Sequence, residues 1–396
     1  MNIKEQAAAL AAPYEQTILE YRHYLHAHPE LSFEEFGTAA FIREHLAQSG
    51  VAEEPGYSGN AVVGVIDSGV PGPTIAFRAD IDALPVDEEN DLPYRSTVPG
   101  VMHACGHDCH AAILLCLADL MNKNRDILKG KVKFIFQPAE EKFPGGAVTL
   151  CQEGVMKDVD YIFGCHVASA HPLGTVDCFA GPASGACSEF NIHIIGKGGH
   201  SSSPDKALNP LPVACAVGTA LTTLRPEKLA PSTVAVLSVT SIRGGDPKYL
   251  NVIPDDAWVS GDTRALGNEA MDTIFAEIKR ISEGICAAYG LECDAQLLFG
   301  FPSCVHSERE VGIVHKAAEA LGFEIAPKKL SMGAEDFSFY ELEKPGAFFH
   351  VGVADPERPI TSTPHHNCHF QIDERGLMDA LRMEVAVYLQ ALAEEN

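Results

Sequence analysis

Four short apolar runs, 61–66, 74–77, 132–136 and 161–164, punctuate the first part of the chain. Each is nearly continuous rather than alternating, the mark of strands buried on both faces. Helical patterns over 14–28 and 34–48 precede them, and another over 111–121 separates the second from the third. Buried strands alternating with helices predict an α/β fold with a mostly parallel central sheet. From 188 to 195 the pattern changes to the alternation of a half-buried strand. A helix over 207–224, strands over 233–242 and 257–264, a helix over 269–289 and a strand over 293–299 follow. The order β-α-β-β-α-β predicts a small ferredoxin-like α+β unit. A helix near 308–321, a strand over 347–353 and a last helix near 374–393 return to α/β character. The chain therefore reads as a discontinuous domain, 1–184 plus 301–396, with an inserted domain at 185–300.

Composition narrows the classes of function. Lysine plus arginine number 29 against 54 aspartates plus glutamates, a formal charge of -25. That balance excludes a nucleic-acid or anionic-membrane surface, which needs clustered positive charge. No stretch reaches the roughly 18 apolar residues of a membrane span. At the start, Lys4, Glu5 and Gln6 precede only a short alanine-rich run, which reads as no signal peptide. The expected location is cytoplasmic, and the 12 scattered cysteines are then expected as reduced thiols.

The chemistry collects where apolar runs end, as ligands do in open α/β sheets. Run 74–77 leads into Arg78, Asp80 and Asp82; run 132–136 into Glu140 and Glu141; run 161–164 into Cys165 and His166. The segment from His103 through Cys105, His107 and Asp108 to His110 opens a helix, and His365 and His366 stand near the C-terminus. Cys105 and His107 lie two apart, so an extended loop points both the same way. Thiolate, imidazole and carboxylate together suit zinc, manganese, cobalt or nickel better than calcium or magnesium. Of the vicinal glutamates, one can coordinate metal while the other serves as general base. Asp80, Asp82 and Asp108 are natural partners for orienting metal ligands.

With these residues in view, the chain resembles the amidohydrolase branch of the metal-dependent aminoacylase and carboxypeptidase family, which includes N-acyl-amino-acid amidohydrolases, hippurate hydrolases and auxin-conjugate hydrolases. The resemblance rests on Arg22-His-Tyr-Leu-His26, His28-Pro-Glu30, Phe77 to Pro85, His103 to His110, Gln137-Pro-Ala-Glu-Glu141, Gly196 to His200 and Met332 to Phe337. It implies a catalytic domain holding two divalent metal ions and a smaller lid domain inserted within it. Carried over, the metal ligands are Cys105 (bridging), His107, Glu141, His166 and His366. Glu140 is the general base, with Asp82 counted beside it in the catalytic group. The last ligand is placed on His366 because the family shows a histidine four residues before an aromatic, here Phe370; His365 is its alternative. The usual proline after that histidine is absent, and Cys368 with His369 replaces the usual neighbours. From the lid, His200 stabilises the oxyanion, while Asn251 and Arg264 hold the substrate carboxylate. The implied reaction is hydrolysis of small N-acyl amino acids. Alternatives are a carboxypeptidase acting on dipeptides or aminobenzoyl-amino acids, an N-acetyl-diaminopimelate deacetylase, or a non-catalytic metal-dependent binding protein. Family lids often pair, which leaves a homodimer or higher homo-oligomer open.

Overall fold

The computed structural model describes residues 2–395 apart from 225–228, 230 and 231. They form two compact units: Met1–Gly181 with Val305–Lys329 and Asp336–Asn396, and Pro182–Cys304 with Leu330–Glu335. Residues 330–335 thus group with the smaller unit, although the sequence pattern placed them in the larger domain. Two hydrogen bonds within the smaller unit tie them there, Gly185 N to Gly333 O at 2.9 Å and Arg264 Nη1 to Met332 O at 3.0 Å.

The larger unit is built on an eight-stranded sheet. Its centre is four parallel strands in the order Lys131–Gln137, Thr74–Asp80, Tyr161–Pro172, Gly346–Ala354. Val62–Asp67 runs antiparallel on one side, and Thr175–Asp177 runs antiparallel to Gly346–Ala354 on the other. Strands 74–80 and 131–137 are buried at every position after the first, which explains their unbroken apolar pattern. The strand beginning at Tyr161 is longer than its apolar run suggests: Cys165 and His166 lie within it, opposite Phe349 and His350.

Helix His107–Lys123 buries 14 of its 17 residues and packs against helices Glu15–Ala27, Phe36–Gln48 and Arg375–Glu394. A helix enclosed on nearly all sides is apolar nearly all round, as its run from Ala111 to Ala118 is. The alanine-rich start, to which the sequence pattern assigned no element, is helix Ile3–Ala11. Asn2 and Glu5 form a reciprocal capping box, and Ala7 and Ala11 are buried in the larger unit's core.

In the smaller unit four strands run antiparallel in the order Ala235–Arg243, Asp256–Leu266, Gly185–Ile195, Glu292–Phe301. Helices Pro210–Thr222 and Asn268–Ala288 join their alternate buried positions in a core of its own. Numbered along the chain the strands lie 2-3-1-4, so Ala235–Arg243 is an edge and carries no fully buried residue. Among the described residues no helix is long and apolar enough to cross a membrane.

Candidate active site

Side chains from four separate segments of the larger unit converge near the carboxyl ends of its parallel strands. Cys105 Sγ lies 3.5 Å from His166 Nε2. Single donor atoms of Cys105, His107 and Glu141 stand within 4.8 Å of one another. Glu141 Oε1 is 3.1 Å from His366 Nε2 and 4.0 Å from His107 Nε2. The structure therefore brings together Cys105, His107, Glu141, His166 and His366.

The imidazoles of His107 and His166 are each held by the other nitrogen. Asp82 Oδ1 lies 3.1 Å from His107 Nδ1, and its Oδ2 accepts from Ser32 Oγ at 2.6 Å and from the Glu141 amide at 3.0 Å. Asp82 thus ties His107 to Glu141 and acts through both. The Val167 carbonyl stands 2.6 Å from His166 Nδ1, leaving Nε2 toward the thiol. Asp80 reaches 2.5 Å from His110 Nδ1, receives Arg78 Nη1 at 2.8 Å and stands 3.6 Å from His107 Nε2. His110 accepts the Val167 amide on Nε2, so its Nδ1 carries the proton toward Asp80.

The neighbouring histidines at 365 and 366 have different surroundings. His365 also lies near Cys105 and His166. Its Nε2 accepts from the Ser169 amide at 3.3 Å, which leaves Nδ1–H to donate to the Cys105 carbonyl at 3.0 Å. Both ring nitrogens are thereby taken by backbone, and burial pushes its pKa down to about 3. His366 has a left-handed backbone, φ +64°, which turns its ring to the cluster. Its hydrogen bonds to Cys105 and Glu141 push its pKa up to about 10. Asp108, read from sequence as an orienting partner of a ligand, instead sets Oδ2 between Arg22 Nε (3.0 Å) and His26 Nδ1 (2.8 Å). Following His107 on a helix, it points to a different side of the helix axis.

The residues fit a cationic group. His107 Nε2 is a buried nitrogen with no hydrogen-bond partner that meets normal geometry among the described residues, and Glu141 Oε1, also buried, reaches His366 Nε2 at 3.1 Å; both face the thiol. Burial opposes charge on His107, yet Asp80 and Cys105 outweigh it and raise its pKa well above the ordinary value. A buried set of carboxylate, thiol and imidazole donors with unmet lone pairs is what a zinc-class ion requires.

Glu140 is buried, one residue before Glu141. The turn that presents the pair depends on Ala139, whose φ of +57° is left-handed for a residue with a side chain. Sequence reasoning missed what holds it. Glu35, fully buried, accepts the Ala139 amide at 2.8 Å and the Phe33 amide at 2.9 Å on Oε1, and Asn60 Nδ2 at 2.9 Å on Oε2. The only signal was its place just after the His28-Pro-Glu30 motif. Left-handed backbone costs an alanine roughly 1–2 kcal/mol, so loss of Glu35 should let the turn relax. Glu35→Ala is expected to lower kcat by about 10- to 100-fold. Adding Ala139→Gly, which accepts that φ without strain, should recover part of the loss. Steady-state kinetics of the two variants check this; a double variant no better than Glu35→Ala would discard the account.

The remaining candidates lie in the smaller unit. His200, exposed, pairs through strand Gly199–His200 with Val252–Ile253, and Ser201 N donates to Asn251 O at 2.9 Å, so His200 and Asn251 share a corner. His200 Nδ1 accepts the Ser202 amide at 3.1 Å, which leaves Nε2–H as an available donor. Gly196 N and Gly198 N bond Asp255, placing that corner at the start of strand Asp256–Leu266. Arg264 sits eight residues along the same strand, about 26 Å away at 3.3 Å per residue. It also bonds Met332 O, with its Nε 3.4 Å from Asp262.

Residues 76–394 match the model of peptidase family M20/M25/M40. The chain is 36% identical over 377 residues to thermostable carboxypeptidase 1 of Saccharolobus solfataricus, covering 94% of this chain and 95% of that one. It is 37% identical over 298 residues to an N-acyl-L-amino acid amidohydrolase of Geobacillus stearothermophilus, covering 75% and 80%. Among solved structures it resembles a dinuclear metal-binding M20 peptidase of Bacillus subtilis, with TM-score 0.82, 33% identity, and 96% and 99% of the two chains covered.

Proposed function

Because the chain belongs to peptidase family M20/M25/M40 and is a metal-dependent hydrolase of that family, we propose that it cleaves the amide bond of small N-acyl amino acids. The observation that carries this reading is the convergence of Cys105, His107, Glu141, His166 and His366, with the buried Glu140 one residue before Glu141. In the proposal those five residues, Cys105 among them, would hold two divalent cations (manganese, zinc, cobalt or nickel). When bound, the pair supplies Lewis acidity to the scissile carbonyl and lowers the pKa of the attacking water. Glu140 takes the proton from that water and delivers it to the departing amine. Asp82 and Asp80 keep His107 and His110 in one tautomer. His200 Nε2–H donates to the carbonyl oxygen as negative charge develops. Asn251 and Arg264 hold the substrate carboxylate, Arg264 by its two-pronged donors. The smaller unit acts as the lid that brings these groups in.

The test is a panel of acetyl-, benzoyl- and indolylacetyl-amino acids with matched dipeptides, after loading with each of the four metals. Faster release of amino acid from the acylated set supports the proposal. Preference for the dipeptides favours the carboxypeptidase reading, and no turnover on either set favours a metal-dependent binding protein. The 12 free thiols fit a reducing compartment, and the cytoplasm is the proposed location.

The distance along strand 256–266 supports a homodimer. One small substrate cannot touch groups about 26 Å apart, so if Arg264 serves its own chain's site, His200 must serve a partner's. The edge strand Ala235–Arg243 exposes Val236 and Ile242 for sheet pairing between copies. Mixing Glu140→Gln with His200→Ala protein and allowing subunit exchange is then expected to restore about a quarter of wild-type activity, since half the dimers are mixed and each holds one complete site. Two inactive variants that stay inactive after verified exchange would place His200 in its own subunit's site.

A further inference from the structure

Three metal-binding side chains meet on the surface of the larger unit outside the cluster described above: Glu89, Cys368 and His369. None of them belongs to the five converging residues. Cys368 and His369 are also among the positions at which the C-terminal motif departs from the pattern the rest of the chain resembles. We propose that Glu89, Cys368 and His369 form a separate, reversible binding site for a divalent cation of the zinc class.

The geometry is close to that of a coordination shell. One donor atom from each residue lies within 4.8 Å of the other two. His369 Nε2 and Glu89 Oε2 stand 3.3 Å apart, which is the edge of a tetrahedron whose bonds are about 2.0–2.1 Å. The thiol completes three corners by a side-chain adjustment of an ångström or so. The two segments that carry the donors are already joined through backbone and amide groups. Glu89 N donates to Cys368 O at 3.0 Å, Asn90 Nδ2 to Phe370 O at 3.0 Å, and Gln371 Nε2 to Asn90 Oδ1 at 2.8 Å. Asn367 Oδ1 accepts the His369 amide at 2.9 Å and fixes the turn that points both side chains the same way. Binding therefore orders side chains alone and leaves the backbone where it is, which limits its entropic cost.

The donor chemistry selects the ion. A thiolate with an imidazole discriminates against magnesium and calcium, and three protein donors leave the fourth position to water. Both His369 and Glu89 are largely exposed, so the ion exchanges with solvent and the site is weaker than a buried one. The metal-free reading, an exposed histidine–glutamate pair beside a thiol that contributes little to stability, predicts no metal dependence at all.

The experiment is equilibrium dialysis of the full chain against stepped micromolar free zinc, with bound metal counted by atomic emission. The wild type is expected to take up one more zinc ion per chain than the Cys368→Ser/His369→Gln variant. Glu89→Gln, which keeps the thiol and imidazole, should bind that ion at higher free zinc. With cobalt in place of zinc, the wild type should show thiolate-to-cobalt charge-transfer absorbance that Cys368→Ser reduces. Equal uptake by wild type and the double variant across the range, or wild-type affinity in Glu89→Gln, would overturn the site. The readout is a difference between variants, so it holds whether or not the five-residue cluster is a hydrolytic centre.

Discussion

Glu140→Gln is expected to lower kcat by roughly 10²- to 10⁴-fold while leaving bound metal and KM close to wild type. Glutamine matches the glutamate in size and keeps a hydrogen-bonding head, so the turn at Ala139 and the neighbouring Glu141 should stay in place. It cannot accept a proton from water or return one to an amine. Proton transfer belongs to the transition state, and the loss should therefore fall on kcat. Steady-state kinetics on an acyl-amino acid, with metal content measured on the same preparation, check the prediction. Turnover near wild type would remove Glu140 from the base role. Loss of metal together with activity would mean that Glu140 works as a ligand instead.

Arg78→Met is expected to destabilise the larger unit by about 3–5 kcal/mol. Arg78 is fully buried. Its Nη1 donates to Asp80 Oδ2 at 2.8 Å, its Nε to Gln137 Oε1 at 2.8 Å and its Nη2 to Asp336 Oδ1 at 2.7 Å. Gln137 Nε2 also donates to both Asp336 oxygens, at 2.9 and 2.7 Å. One guanidinium thus joins the ends of strands 74–80 and 131–137 to the Asp336 segment. Burial already pushes Asp336 up to about 6 against the opposing effect of Arg78. Removing the cation leaves two buried carboxylates without it, and each must protonate or draw in water. Arg78→Lys keeps the charge but not the three-way fork, and an intermediate loss is expected. Urea unfolding midpoints measure both, and an Arg78→Met midpoint equal to wild type would refute the network's role.

Much of the site was legible because its chemistry is concentrated in residue types that are uncommon together. Cys105 with His107, the Glu140–Glu141 pair and His166 could each be named from their neighbours along the chain. Glu35 could not: a glutamate beside Glu34 in a polar stretch looks solvated, and only folding buries it against Ala139. Asp108 shows the opposite error. It stands beside a cluster residue in sequence, but a helix turns consecutive residues about 100° apart, and its carboxylate meets Arg22 and His26. His110 could be read along the chain as a loop residue or as a neighbour of a ligand, and the fold sets it between Asp80 and the Val167 amide.

The sequence by itself determined most of the longer elements, since apolar periodicity is a local property and each buried strand or half-buried helix writes its own. It also determined the chemical class of the site, because thiol, imidazole and vicinal carboxylates keep their reactivity wherever they are placed. Only the tertiary structure decided which nitrogen of which histidine faces the thiol, that His365 is occupied by backbone while His366 is not, and that Arg264 lies a strand's length from His200. Those outcomes depend on backbone dihedrals at single residues and on distances between segments hundreds of positions apart. Neither leaves a periodic trace in the chain.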